Sequence, residues 1–143
     1  QARWYRTLRT VGGSGAETDP ETQWVETEVT RLQLKSVVAR VRLTAGAHQV
    51  LGFVLNDGTP LKSVEVQIDG GPWQRATFDP ANTQYSWKLF TYRWESATPG
   101  EHTLVSRATD ANGVVQPAAA DLARKKTFLE DNSQFPRKVR IGA

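Results

Sequence analysis

Apolar and polar residues alternate along most of this chain, with the two-residue period of β-strands. Val37, Ala39, Val41 and Leu43 fall on one face of a first segment. Val50, Gly52 and Val54 share a face of the next, with Leu51, Phe53 and Leu55 on the other. Asn56-Asp57-Gly58 is a turn signal, after which Val64, Val66 and Ile68 alternate with Glu65 and Gln67. That is the pattern of a strand with one dry and one wet face. Asp69-Gly70-Gly71 turns the chain into residues 73–78, and the two segments read as a hairpin. Residues 85–95 predict an aromatic strand, with Tyr85, Trp87 and Leu89 on one parity and Phe90, Tyr92 and Trp94 on the other. Pro99-Gly100 leads into a strand whose Leu104, Ser106 and Ala108 share a face, and Val139 and Ile141 alternate in a last strand. Short strands separated by turn signals predict an all-β sandwich of about seven strands. Val64, Val66, Ile68, Leu104 and Ala108 are the expected core.

Two stretches depart from this pattern. In residues 118–130, Ala118, Ala119 and Ala120 precede Leu122, Lys125 and Phe128 or Leu129 at helical spacing, which predicts one short C-terminal helix. Residues 1–34 read as a lead-in or connector, and 35–143 as the sandwich domain. Within the lead-in, Asp19 and Pro20 suit a helix start, whereas Val25, Thr27 and Val29 alternate as a strand does. Both readings stand. Trp4, Tyr5 and Trp24 are large apolar groups in a polar segment and call for a covering surface.

Composition removes several functions. At 143 residues the chain suits one domain able to bury a core without disulfides or metals. It has no Cys, so a thiolate metal site or Cys nucleophile is excluded, and His48 and His102 are its only histidines. It has no Met and starts at Gln1, which fits a processed chain or an excised domain. Its apolar runs are far too short to span a membrane, and no membrane partner is expected. The net charge of +3 is modest, and the basic residues near the C-terminus lack the aromatic interleaving of a nucleic-acid module. No nucleic-acid partner is expected.

The candidate catalytic patterns are weak. Gly12-Gly13-Ser14-Gly15 lacks the Lys-Ser/Thr ending of a phosphate loop and reads as a flexible linker. No Ser sits in a nucleophile elbow, and both histidines fall near strand starts, the ordinary place of a solvated histidine. Asp69-Gly70-Gly71 and the Asp110–Gly113 turn lack the acidic density of a calcium loop and suit Asx turns. No catalytic, cofactor-binding or metal residue is assigned.

The aromatic residues carry more information. Trp73, Trp87, Phe90, Tyr92 and Trp94 lie within two hairpins, on two strand faces. One face fills a core, which leaves the other for a partner. Phe53, Leu55, Trp87 and Leu89 are the expected interface set. An immunoglobulin-like spacer or carbohydrate-associated module of another secreted enzyme, with Trp73 or Trp87 stacking on sugar rings, is the alternative.

Five segments then match one family in order: residues 50–58 (VLGFVLNDG), 64–73 (VEVQIDGGPW), 85–90 (YSWKLF), 100–110 (GEHTLVSRATD) and 112–117 (NGVVQP). Together they resemble the C-terminal, immunoglobulin-like dimerisation domain of sulfite-oxidase-type molybdopterin enzymes. Arg3-Trp4-Tyr5-Arg6 with Trp24 is similar to the connector leaving the molybdenum domain. The resemblance implies an immunoglobulin-like (E-set) β-sandwich that serves as a non-catalytic assembly domain of a molybdenum oxidoreductase, with molybdopterin and molybdenum held in a missing upstream domain. It implies that upstream domain and a second copy as partners, and a periplasmic or exported location. It also assigns Arg137, the nearest match to an Arg before the family's last strand, to an anionic-substrate contact.

Overall fold

The computed structural model describes residues 6–11, 21, 23–122 and 131–142. Among these residues ten strands run in order: β1 (Arg6–Val11), β2 (Gln23–Glu28), β3 (Lys35–Thr44), β4 (Ala47–Leu55), β5 (Leu61–Ile68), β6 (Gln74–Arg75), β7 (Thr77–Phe78), β8 (Lys88–Trp94), β9 (Gly100–Asp110) and β10 (Arg137–Ile141). β1 and β2 form a two-stranded ribbon. The others form two four-stranded antiparallel sheets, ordered β10-β9-β5-β6 and β3-β4-β8-β7. The sheets pack face to face as an all-β sandwich. The lead-in residues 25–29, open between helix and strand, are strand through Glu28.

The core follows the alternation where the ladder is regular. Val50 and Val54 of β4, Val64 and Val66 of β5, and Leu104 and Ala108 of β9 are fully buried. Ile68 packs on this cluster from a half-buried position at the end of its strand. Phe90 and Trp94 of β8 complete it from the sheet that also holds β4. Gly52 lies opposite Phe90, and the ring occupies the space a Cβ would need. The Asp69–Gly70 turn joins β5 to β6 with φ of 50° and 70° at its two central residues. Positive φ at both positions is the mirror-image turn that matches strand twist.

Three expectations change. The shared face of Val37, Ala39, Val41 and Leu43 is not formed as such. A β-bulge between Val38 and Arg40 adds a residue and shifts the parity, so Ser36 and Val38 are buried before it, and Val41 packs on the core after it. Residues 73–78 are not one strand. β6 pairs with β5, the chain crosses between the sheets at buried Ala76, and β7 pairs with β8. The expected helix over 118–130 begins as a 3-10 turn, Ala119–Leu122, and residues 123–130 lie outside the described set.

A buried polar knot ties the sheets together. Ser36 Oγ of β3 donates to Gln116 Oε1 at 2.6 Å, and the Ser36 amide donates to the same oxygen at 3.0 Å. The Ser36 hydroxyl also lies 2.9 Å from Ser106 Oγ of β9. Gln116 Nε2 donates to the Ser36 and Ser133 carbonyls. Each polar group thus has a partner, without which burial costs about 1–3 kcal/mol per group.

Candidate functional site

The two outer faces of the sandwich differ in chemistry. On the sheet of β10, β9, β5 and β6 the outward positions are mostly polar, with Val105 beside Gln67 as an apolar exception. Arg107 Nε bonds Glu65 at 2.9 Å, and its guanidinium carbon lies 4.2 Å from the Trp73 ring centre. Trp73 is therefore already covered by a cation on that face.

On the other sheet, register places Val37, Phe53 and Leu89 side by side across β3, β4 and β8, with Leu55 and Leu51 in the rows to either side. Leu89 is 49% exposed and Trp87 60%. Trp87 stacks on Phe53 with ring centres 4.9 Å apart and planes tilted by 32°. Offset aromatic pairs of this kind contribute roughly 0.5–1.5 kcal/mol beyond burial. Phe53, Leu55, Trp87 and Leu89 thus lie together on one outward face, and the core takes Phe90 and Trp94 instead.

The loop beside this face is held in shape by its own side chains. Asn82 imitates a strand residue: its Nδ2 donates to the Leu89 carbonyl at 2.8 Å, and its Oδ1 accepts from the Leu89 amide at 2.9 Å. Asp79 Oδ1 accepts from the Ala81 amide, and Ser86 Oγ from the Thr83 amide. Lys88 Nζ donates to the Gln84 and Ser86 carbonyls. Tyr85, 80% exposed, is presented from this loop next to the Gly58 turn. Rigid aromatic groups lose little entropy on contact, which suits an interface more than a solvated surface.

Arg137 lies elsewhere. It pairs opposite Leu104 on edge strand β10 and is exposed, in the sheet that does not carry the apolar face. The structure does not bring it together with Phe53, Leu55, Trp87 and Leu89. Its distance from any upstream domain is a property of the longer protein.

The histidine near the Pro99-Gly100 turn is not a solvated one. His102, with a side chain 12% exposed, bonds Asp69 Oδ2 through Nδ1 at 2.6 Å and the Thr98 carbonyl through Nε2 at 2.8 Å. A carboxylate and a carbonyl are both acceptors, so this pair of contacts favours the doubly protonated ring. Its pKa is raised, first by the hydrogen bond to Asp69 and then by that to Thr98. Asp69 is lowered in turn by the His102 bond and the Thr103 amide. The Trp94 ring packs edge-on against the His102 ring with centres 4.9 Å apart. Asp69 and His102 were each legible as a turn residue and a strand-start residue, but no local signal joins positions 33 apart in sequence. With both nitrogens bonded, His102 has no free lone pair for base catalysis or metal binding.

Among the described residues no group of three or more His, Asp or Glu side chains is placed to hold a metal ion. Together with the absence of Cys, this set does not fit a molybdenum ligand site. No described helix is long and apolar enough to cross a membrane.

No protein-family model matches the chain, and no curated protein matches it. Among solved structures it is similar to the sulfane dehydrogenase SoxCD from Paracoccus pantotrophus, with a TM-score of 0.63 and 22% identity. That likeness covers 94% of this chain and 34% of the SoxCD chain, so this chain spans about a third of that length. At this identity the likeness is one of fold.

Proposed function

We propose that this chain is the non-catalytic assembly domain of a molybdenum-dependent oxidoreductase acting on a small sulfur compound. Two lines support the reading: the ordered motifs that resemble sulfite-oxidase-type enzymes, and the shared fold with a sulfane dehydrogenase. In this reading the molybdenum cofactor sits in an upstream domain and supplies the redox chemistry there. This chain positions that domain or a second subunit.

The observation that carries the proposal is the contrast between the outer faces. One is polar and internally paired through Glu65, Arg107 and Trp73. The other displays Trp87 and Leu89 beside Phe53 and Leu55, from a loop whose shape is already fixed. Burying such side chains contributes about 1.5–3 kcal/mol each, a gain realised only on contact. The sugar-stacking alternative is less well served, because Arg107 already covers a face of Trp73 and Phe53 lies against Trp87.

The test is hydrogen exchange on the longer protein and on this chain alone. Amides around residues 53–55 and 87–89 should be more protected in the longer protein. Equal exchange in both would reject the interface. Arg137 belongs to the same proposal as a contact for an anionic substrate at the domain boundary. In the longer enzyme, Arg137→Ala should raise KM for that substrate with kcat little changed. Unchanged KM would make Arg137 an ordinary edge-strand residue.

A further inference from the structure

The β3-β4-β8-β7 sheet carries charge of one sign. None of its four strands contains an Asp or Glu, whereas β3 holds Lys35, Arg40 and Arg42, and β8 holds Lys88 and Arg93. The other sheet mixes the signs and pairs them, Glu65 with Arg107 and Glu101 with Lys138. Register sorts the cations by face. Val50, Val54 and Phe90 point into the core, so Gln49, Leu51 and Phe53 point outward. Arg40 stands opposite Leu51, and Arg42 opposite Gln49, whose other neighbour is Arg93. These three arginines are exposed and share the outer face with Phe53, Leu55, Trp87 and Leu89. The face is apolar at one end and arginine-rich at the other. Adjacent strands lie about 4.8 Å apart, which sets the Arg42 and Arg93 backbones roughly 10 Å from each other.

Little within the chain neutralises this end. Arg42 Nε and Nη2 both donate to Gln49 Oε1, a neutral acceptor that orients the guanidinium and leaves its charge. Among the described residues Arg40 has no hydrogen-bond or ion-pair partner. Arg93 bonds Glu95 at 2.8 Å, with the two side chains 63% and 73% exposed. An exposed pair of this kind contributes at most about 1 kcal/mol, so a carboxylate from outside can take the place of Glu95. The two lysines are spent elsewhere: Lys88 stands opposite buried Val54 and bonds loop carbonyls, and Lys35 bonds the Asp131 carbonyl. Arginines on an edge strand also serve to repel other strands, which would account for Arg40 and Arg42 on β3. It accounts neither for Arg93, two strands away, nor for the lack of acids, which would repel equally well.

The occupant of the face follows from both of its ends. A symmetric contact with a second copy sets one patch against itself, and the strands of this sheet offer no carboxylate to answer the arginines. A bilayer surface takes side chains that reach about 5–10 Å below the headgroups, whereas Trp87 lies down on Phe53 across a sheet. A nucleic acid would leave Leu55 and Leu89 without a use. An acidic protein surface serves both ends. We infer that this face docks a non-identical protein surface whose apolar contact area is bordered by carboxylates, and that Arg40, Arg42 and Arg93 receive those carboxylates. The inference rests on the docking face proposed above and names the chemistry of its partner. Guanidinium groups take carboxylates in two parallel hydrogen bonds, and a cluster of one sign steers the encounter.

Two dye-labelled polymers probe this chemistry. Polyglutamate offers carboxylates alone, and a random copolymer of glutamate and tyrosine adds apolar rings. At an ionic strength of about 0.15 M the copolymer should bind this chain at least about ten-fold more tightly than polyglutamate. Arg40→Glu with Arg42→Glu should weaken copolymer binding at least about ten-fold, and Arg40→Gln with Arg42→Gln should act in the same direction should the reversed pair fold poorly. The same charge change on the other sheet, Lys138→Glu with Arg140→Glu, should alter it by less than about two-fold. Leu89→Ser should weaken it by at least about three-fold. No copolymer binding, or equal losses from the two charge reversals, overturns the inference. A loss in Leu89→Ser with none in the arginine variants leaves the apolar docking face standing and removes the acidic partner. Indifference to Leu89→Ser and to the arginine variants removes the face as well. Tighter binding to vesicles of phosphatidylcholine and phosphatidylserine in equal parts would overturn it in favour of a membrane surface. Self-association lost in Leu89→Ser but kept in Arg40→Glu with Arg42→Glu would do so in favour of a second copy.

Discussion

At the scale of single residues, stability rests on a few buried or half-buried polar groups whose bonds are complete. His102 is the titrating one. Its folded pKa is raised, so its contribution is whole below its ordinary value of 6.5 and is lost as pH rises through the raised value. Asp69 is lowered, so the same pair is intact above 3.8 and fails only as pH falls through the depressed value. The ion pair is therefore at full strength between those two ordinary values. The urea midpoint of the wild-type chain should fall between pH 6 and 9 more than that of His102→Gln; parallel curves would count against the pair. The other charged groups near this end, Glu101 and Lys138, pair with each other. Gln116 makes a second case. Gln116→Leu keeps the volume but leaves the Ser36 amide without its acceptor. A loss of about 1–3 kcal/mol in urea unfolding is expected, and an unchanged midpoint would mean that the knot relaxes onto Ser106 or water.

At the scale of elements, the alternation was legible wherever one face of a regular ladder is dry. Val64 and Val66, then Leu104, Ser106 and Ala108, read correctly because β5 and β9 pair without interruption over those positions. It misread β3, because a bulge at Ala39 reverses the parity and Ala39 itself gives no sign of one. It missed the sheet change at Ala76, because two-residue strands leave no periodic pattern to read. The outward grouping of Phe53, Leu55, Trp87 and Leu89 was legible as a parity. The bonds of Asn82 and Ser86 that fix the neighbouring loop were not, since they depend on where the chain returns. The β4–β8 pairing yields a sharper prediction. A Cβ on Gly52 would fall within 2.5 Å of the Val37 carbonyl oxygen and onto the Phe90 ring. Backbone on one side and core on the other leave neither free to move. Gly52→Ala should cost about 1–3 kcal/mol by denaturant unfolding, although alanine is ordinarily benign. A neutral result would show that β4 and β8 can separate.

At the scale of the whole molecule, the sandwich has one largely polar outer face and one that displays apolar side chains, and mutation should tell their roles apart. Phe90 and Leu89 are adjacent on β8 and point to opposite sides, with Phe90 1% exposed and Leu89 49%. Phe90→Ala empties part of the core and should cost about 3–5 kcal/mol. Leu89→Ser removes a half-exposed side chain that lies beside Phe53, and its stability should change by no more than about 1 kcal/mol. Trp87→Ser should cost somewhat more, because it also loses the stack on Phe53, which is worth about 0.5–1.5 kcal/mol. If the face existed for this chain's own stability, Leu89→Ser would instead approach the cost of a core truncation. The second readout is binding of an apolar dye to the native chain. It should fall in Leu89→Ser and Trp87→Ser and stay unchanged in a polar-face variant such as Thr103→Ser. Stability that survives while an apolar surface disappears is what a docking face requires, because its side chains are retained for a contact outside the chain that carries them.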